Sequence, residues 1–497
     1  MQFPRARPRS WLRSKVAELF SIDLRSLAVF RVVLGMVLLA DLATRLLHLR
    51  GHYSDDGVWP RALAIDELSK RTWYFSFHLL SGSVGFEAVL FAIAALVAVA
   101  LIIGLWTRSA TIVSWLMLVS LHTRNAAVLN CGDLLLALFL FWSLFLPLGA
   151  RWSLDARRCR KEPFCAVFSA ASAALLLQVC LVYWFSAAFK WDGVWSGRGD
   201  ALRYALNLQT VATPLGSALL DYPRLLRVLT WSTLALEGAG PLLVFMPFAS
   251  WLFRTLAALG FIAFHLVAIQ LTFSLGLFPV ISAAGWIVFL PAWFWDRILR
   301  RPRPANMPVL GAHWAVNLAV SLFFVLVVLW NFRGLNPRCF GALFPQRLTP
   351  IMYALRLDQQ WSMFASRALA SDGWQVVIAQ LVDGSQVELL SGGVDYSSGE
   401  IERPRRLSDM FPDYRWGKYP LRTSRPSQFS RYKCYADFLK REWNRAHTPE
   451  RAVAALEIYF MREVNQIPRQ SAEPELLYSD IKAQRSEVGD FGDESPF

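Results

Sequence analysis

The feature that most constrains this fold is a series of apolar stretches, each long enough to cross a hydrocarbon layer as a helix. Nine stretches qualify, at about 27–47, 84–106, 109–127, 133–149, 166–190, 224–248, 252–273, 277–295 and 311–332. Crowding within 84–149 and 249–296 leaves eight or ten spans as alternatives. Hydrophobic residues make up 55% of the chain and charged residues 18%, which predicts a multi-pass membrane protein rather than a soluble enzyme.

The basic residues predict how the chain is oriented. They concentrate in the N-terminal arm, the 149–165 loop and the 296–310 loop, and nine spans would place all three on one face. The positive-inside rule makes that face cytoplasmic in a plasma or inner membrane, so residues after 332 are predicted to be periplasmic or lumenal. These loops and a basic C-terminal region explain the net charge of +14, which therefore indicates a bilayer rather than nucleic acid as partner.

Four segments follow from these patterns. We predict a cytoplasmic basic arm at 1–24, an all-α transmembrane domain at 25–332, an extracytoplasmic α+β domain at 333–480 and a disordered acidic tail at 481–497. In the α+β domain, GWQVVIAQL, VDGS and QVELL predict a hairpin with Asp-Gly at its turn. Helical periodicity is predicted for 429–445 and for 448–466, which opens with a Thr-Pro-Glu start signal.

Polar residues in the predicted spans favour one leaflet, which indicates a polar cavity opening outward. They are Asp41, Arg45, His122, Asn125, Asp133, Lys190, Glu237 and His265, and Asn130 lies just before the span that begins with Asp133. Structural interpretations compete with functional ones: an i, i+4 ion pair for Asp41 and Arg45, and a snorkelling anchor for Lys190.

Two further interpretations concern single residues. Asp133 would cap its helix and His265 would be a packing residue. Glu237 is harder to explain structurally, since a carboxylate in mid-span needs a partner or a proton.

Cysteine and histidine spacing give less specific predictions. One disulfide among Cys131, Cys339 and Cys434 would suit the oxidising side, and unpaired thiols are an equal alternative. The seven histidines show no zinc-binding spacing, so no metal is predicted.

Several ordered blocks resemble the HTTM domain of the vitamin K-dependent gamma-carboxylase family. They are SLAVFRVVLGMVLLADLATRL, HYSDDGVWPRALA, LHTRNAAVLNCGDLLLALFLFWSLFLPLGARWSLDA, YWFSAAFKWDGVWSG and AFHLVAIQLTFSLGLFPV. The resemblance covers about residues 20–335, and a weaker likeness continues through QQWSMFAS and RRLSDMFPDYRWGKY.

The resemblance implies a reaction and a set of site residues. Lys190 would be the base that acts on a reduced naphthoquinone of the vitamin K or menaquinol type, so that CO2 attaches to a glutamate of a secreted peptide. Burial favours the neutral form of an amine, which suits this role. Lys190, Asp133 and His265 are the expected catalytic residues, and the expected cofactor-binding residues are His122, Asn130, Trp191 and Glu237.

The chain also departs from the family pattern. Asp133 stands where the carboxylases have a histidine, and Phe189 where they have the first of two lysines. Three functions therefore stay open. The chain would be a carbon–carbon bond-forming lyase, a non-carboxylating relative that binds a lipid, quinone or peptide, or a transporter with Glu237, Asp41 and Arg45 as a relay.

Overall fold

Long apolar helices dominate the computed structural model, which describes residues 8–69, 73–158, 164–300, 309–396, 403–404, 406–423, 429–466 and 472–481. Within these ranges six helices are long and apolar enough to cross a membrane: Leu24–Leu46, Val84–Ile103, Ala170–Phe189, Pro223–Phe245, Ser250–Thr272 and Trp314–Leu335. A seventh span results if Phe278–Phe289 and Ala292–Leu299, which meet at 94°, are counted as one. The chain is thus a multi-pass membrane protein with six or seven spans in the described part.

The count of nine spans is not confirmed, for two local reasons. The third predicted span forms the helix Thr107–Arg124, which carries buried serine, threonine, histidine and arginine side chains and is too polar to qualify. The fourth forms Cys131–Ser143, only 13 residues long, whereas a perpendicular span needs about 20. Both helices are buried among the others, so their apolar residues serve the protein core.

A small sheet ties together the starts of three membrane helices. Its strands are β1 (Ile22–Asp23), β2 (Ala166–Val167) and β3 (Val309–Leu310), with β2 antiparallel to β1 and parallel to β3. Each strand lies in or beside one of the three basic segments, so the structure gathers these segments at one end of the helices. The charge rule predicts that this end is cytoplasmic.

Shorter helices connect the spans and cover their ends. They are Pro8–Phe20, Leu49–Tyr53, Arg61–Ser69, Leu154–Arg158, Ala201–Asn207, Pro214–Ala218, Pro337–Phe340 and Thr349–Ala354.

The C-terminal region folds around a five-stranded antiparallel sheet. Its strands are β4 (Ser371–Leu381), β5 (Gln386–Glu388), β6 (Val394–Asp395), β7 (Val453–Val464) and β8 (Glu473–Ser479), in the spatial order β6-β5-β4-β7-β8. The predicted hairpin is confirmed as β4 and β5, with Gly384 at a φ of 86° in the turn. The helices Tyr414–Thr423 and Phe429–Ala446 pack beside the sheet, and the second confirms a prediction.

The prediction of a helix over 448–466 is wrong. Only Pro449–Arg451 forms a helical turn, and Val453–Val464 is β7, an interior strand of the sheet. Strand β7 pairs with β4 on one side and β8 on the other, and its Val, Ile, Tyr and Phe side chains suit a pleated surface. Pairing on both edges therefore overrides the helical periodicity.

Candidate functional site

An aromatic-walled cavity lies among the helices that carry Lys190, Glu237 and His265. We call it the Lys190 cavity. Its aromatic lining comes from membrane helices and from the C-terminal region: Trp195, Phe264, Phe273, Phe278, Trp361 and Phe364. Lys190 lies at the C-terminal end of Ala170–Phe189, and β2 precedes the other end of this helix, so the cavity lies away from the basic segments.

Lys190 and Glu237 form a buried ion pair in this cavity. The Lys190 ammonium donates to both carboxylate oxygens of Glu237, at 2.6 Å and 2.8 Å. Lys190 Nζ also lies 4.8 Å from the ring centroid of Trp195, close enough for a cation–π contact. Glu237 stands near the end of the helix Pro223–Ala239, just before the chain tightens into the 3-10 turn Gly240–Phe245 around Pro241.

His265 belongs to a second polar group in the same cavity. It lies in a π-helical segment, Phe264–Ile269, and π-bulges inside helices are frequent at functional sites. Its Nε2 lies 2.6 Å from the hydroxyl of Tyr183, which accepts a 2.8 Å hydrogen bond from the indole of Trp286. The other ring nitrogen, Nδ1, is buried and has no hydrogen-bond partner among the described residues.

The C-terminal region contributes one wall of the cavity. Trp361, Met363 and Phe364 line it, and the Trp195 indole donates to the Phe364 carbonyl at 2.9 Å.

A buried pair of amides fastens this wall to a membrane helix. Gln178 and Gln359 exchange hydrogen bonds at 2.8 Å and 3.2 Å, and Trp361 donates to Gln359 at 2.7 Å. The cavity is therefore complete only when the C-terminal region is docked.

Asp133 lies in a different cluster. The Arg415 cluster consists of two carboxylates, two guanidinium groups and one phenol: Asp41, Asp133, Arg45, Arg415 and Tyr53. Arg45 bonds to Asp41 at 2.8 Å and to Asp133 at 2.5 Å, while Arg415 reaches Asp133 at 3.0 Å and 3.1 Å and also bonds to Asp41. The predicted Asp41–Arg45 ion pair is thus confirmed, and it is part of a balanced set of four charges.

The carboxylate beside Lys190 is consequently Glu237 rather than Asp133. Asp133 does not line the Lys190 cavity, and it also closes a capping box with Asn130, whose backbone N–H donates to it at 2.7 Å. His122 accompanies this cluster, with Nε2 3.9 Å from Asp133. Since Glu237 bonds to Lys190 while Asp41 and Arg45 bond elsewhere, the three residues of the transport relay do not meet.

The two groups are neighbours across Phe278. Its ring lies 5.9 Å from that of His265. On the other side, a Cβ added at Gly132 would lie 3.0 Å from the Cα of Phe278. Because Gly132 has no side chain, the helix Cys131–Ser143, which carries Asp133, can approach the backbone of Phe278 closely.

Two buried groups just outside the spans have pKa values shifted for different reasons. Burial and the Arg45 cation act to lower the pKa of Arg415, but Asp133 and Asp41 outweigh them, so that this pKa is raised. Burial lowers the pKa of His52 to about 3, and the neighbouring His48, Arg415 and Arg45 act in the same direction. The ring of His52 packs edge-on against Trp416, at the contact between the first membrane helices and the C-terminal region.

One predicted cofactor-binding residue lies outside the cavity, and two residues of the site were not predicted. Trp191 is 75% exposed and does not line the Lys190 cavity. Sequence reasoning missed Tyr183, although its position seven residues before Lys190 on one helix places both on the same face. It also missed Arg415, whose partners are distant in sequence.

The cysteines show no bond of the predicted kind. Cys339 and Cys434 carry free thiols, so no disulfide joins any two of Cys131, Cys339 and Cys434.

Comparison with known proteins identifies one family. The family described as the HTTM domain matches residues 20–293, which include Lys190, Glu237, His265 and the Tyr183 helix. Neither a curated protein nor a solved structure matches the chain.

Proposed function

The chain belongs to the HTTM domain family, and from this premise we propose that it binds a reduced naphthoquinone in the Lys190 cavity and couples quinol oxygenation to modification of a secreted peptide. The observation that carries the proposal is the Lys190 amine, buried in an aromatic-walled cavity that also holds His265. A base and a second polar group beside flat apolar walls are what a quinol site requires.

The residues present fit such a ligand. Aromatic rings from several helices offer stacking surfaces for a fused-ring quinone. The buried Nδ1 of His265 is unsatisfied among the described residues, and a ligand oxygen would satisfy it. When bound, a reduced naphthoquinone would react with O2, which is reduced as the quinol is oxidised, and would so supply the strong base that removes a proton from a glutamate.

The chain's own part is to move protons and exclude water. Transfer of a proton from Lys190 Nζ to Glu237 Oε1 along their 2.6 Å hydrogen bond leaves a neutral amine beside a neutral carboxylic acid. Lys190 Nζ then accepts the proton of a ligand hydroxyl, and the pair carries that charge while the site reacts. Trp361 and Phe364 close the wall on the side of the C-terminal region, which keeps water away from the base.

The experiment supplies purified full-length protein with chemically reduced menadione, isotopically labelled bicarbonate and a glutamate-containing peptide. We expect label in acid-stable form with wild type and none with Lys190→Ala. Lys15→Ala is the matched control, because Lys15 pairs with Glu18 at the surface. Equal incorporation by Lys190→Ala would contradict the role of Lys190 as base.

A non-carboxylating relative is the second candidate, and the ion pair itself favours it. Glu237 engages Lys190 with both oxygens, an arrangement that also suits a binding site in which the amine keeps its proton. Menadione binding by wild type without label in any peptide would favour this function over the first.

A further inference from the structure

We propose that Tyr183 and Trp286 are positioning residues that fix His265 as a neutral imidazole with its proton on Nδ1. His265 then serves the ligand of the Lys190 cavity as a hydrogen-bond donor, and it is not a base. The assignment of the tautomer follows from the protein alone, whereas the ligand that receives the bond rests on the proposed function.

The direction of each hydrogen bond follows from what each group can do. An indole N–H can only donate, so Trp286 donates to the Tyr183 oxygen at 2.8 Å. The Tyr183 hydroxyl has one proton to give, and His265 Nε2 lies 2.6 Å away. Both groups are satisfied if the hydroxyl donates to Nε2, which must then be the unprotonated nitrogen.

The opposite arrangement leaves one more buried group unsatisfied, since Nδ1 has no partner among the described residues in either tautomer. If Nε2 carried the proton, the Tyr183 oxygen would accept two hydrogen bonds and its own O–H would need a further acceptor. None of the described residues supplies one. Since an unsatisfied buried hydroxyl is destabilising, the tautomer in which Nε2 accepts is the favoured one.

Ring packing holds the hydrogen-bonded chain of Trp286, Tyr183 and His265 in place. The Trp286 and Phe261 rings stack with centroids 4.0 Å apart and planes at 3°, and Phe261 also contacts the Tyr183 ring at 4.6 Å. Tyr183 and Trp286 are both buried. Neither hydroxyl nor indole can therefore turn to another partner without displacing the stack.

Two chemical consequences follow for the cavity. The lone pair of Nε2 is occupied by Tyr183, so His265 has no free site to accept a proton from a ligand. Its Nδ1–H, buried and without a partner in the described chain, is an unused donor that matches a carbonyl or phenolate oxygen. The polar groups of the cavity thus have separate roles. Lys190 and Glu237 transfer protons, and His265 donates a hydrogen bond to a ligand that presents an oxygen acceptor.

Nitrogen NMR of ligand-free protein tests the tautomer directly. Full-length protein labelled with 15N-histidine is reconstituted in nanodiscs, and His265→Asn identifies the His265 signals by their loss. In wild type we expect a protonated Nδ1 and an unprotonated Nε2. In Tyr183→Phe, which keeps the ring but removes the hydroxyl, we expect a mixture of the two neutral tautomers, with the proton on Nε2 in part of the molecules.

A matched control and a clear contrary result complete this test. Tyr222→Phe alters an exposed tyrosine and is expected to leave the His265 signals unchanged. A wild-type proton on Nε2, or a tautomer that does not respond to Tyr183→Phe, would overturn the inference.

The affinity for menadione tests the donor role of His265 separately from any effect of Tyr183 on the fold. With the donor lost, we expect Tyr183→Phe to weaken menadione binding about fivefold, the equivalent of one hydrogen bond. Tyr222→Phe should bind like wild type, and unchanged affinity in Tyr183→Phe would contradict the donor role. If wild type fails to bind menadione, the proposed ligand is wrong, and the NMR result alone decides the tautomer.

Discussion

Lys190 and Glu237 form a buried pair in which one ammonium contacts both oxygens of one carboxylate, at 2.6 Å and 2.8 Å. Their helices belong to different membrane spans, so the pair joins two elements as well as lining a cavity. Charges taken out of water in this way are costly to separate but are often neutral to replace together.

Breaking the pair should therefore cost more than removing it. We expect Lys190→Met to lower the free energy of unfolding by about 3 kcal/mol, because it leaves Glu237 as an uncompensated buried charge. The double variant Lys190→Met/Glu237→Leu should recover most of that loss. Thermal unfolding in detergent measures both, and equal destabilisation by the single and the double variant would show that the two residues are not coupled.

Arg415 should hold the C-terminal region against the membrane helices. Arg415→Met leaves Asp41 and Asp133 to share Arg45 alone, and we expect a loss of about 3 kcal/mol or more. Limited proteolysis should then cut the C-terminal region faster than in wild type. Arg431→Met is the matched control, since its half-exposed pair with Glu67 is worth about 1 kcal/mol at most; similar cleavage of both variants would contradict the prediction.

Stability should fall on acidification because of His52. Its pKa lies at about 3 in the folded protein and near 6.5 when unfolded, so between these values the unfolded chain binds the extra proton. The contribution is complete above pH 6.5 and decreases at about 1.4 kcal/mol per pH unit below it. Unfolding measured from pH 8 to pH 4 should show a shallower decline in His52→Phe, which keeps a ring against Trp416; parallel curves would exclude His52 as the cause.

The amide pair that fastens the cavity wall invites a similar comparison. Gln359→Leu should destabilise the protein by about 1–3 kcal/mol, because Gln178 is left buried without its main partner. Gln178→Leu/Gln359→Leu removes both polar groups and should be less destabilising than the single change. The indole N–H of Trp361 donates to Gln359, so its NMR signal, identified by its loss in Trp361→Phe, reports this contact in each variant. An unaltered signal in Gln359→Leu would argue against the role of Gln359 in holding this ring.

Whether a structural feature can be predicted from the sequence depends on how far apart along the chain the interacting residues lie. Membrane helices were predictable because hydropathy is a property of one continuous segment, and the same holds for the β4–β5 hairpin, whose turn lies within four residues. Strand β7 was not predictable, because it is stabilised by pairing with β4 and β8, and no pattern within its own segment indicates those partners.

For the candidate site, too, the sequence predicted some features and not others. The prediction that Lys190, Glu237 and His265 share a depth placed them in one leaflet, and they line one cavity. The same argument could not separate Asp133 from them, since depth says nothing of position around the bundle. The partner that distinguishes it, Arg415, lies 282 residues further along the chain.

The wall formed by Trp361 and Phe364 has a consequence for biosynthesis. Helices bearing Lys190, Glu237 and His265 emerge from the ribosome long before this wall and before Arg415, which anchors the region behind it. Until then the ammonium and the indole of Trp195 face an open half-site, and a nascent chain that stops short of residue 361 cannot enclose a ligand. Completion of the cavity lining is thus timed by the synthesis of residues 361–364, well after the helices that carry the charged groups.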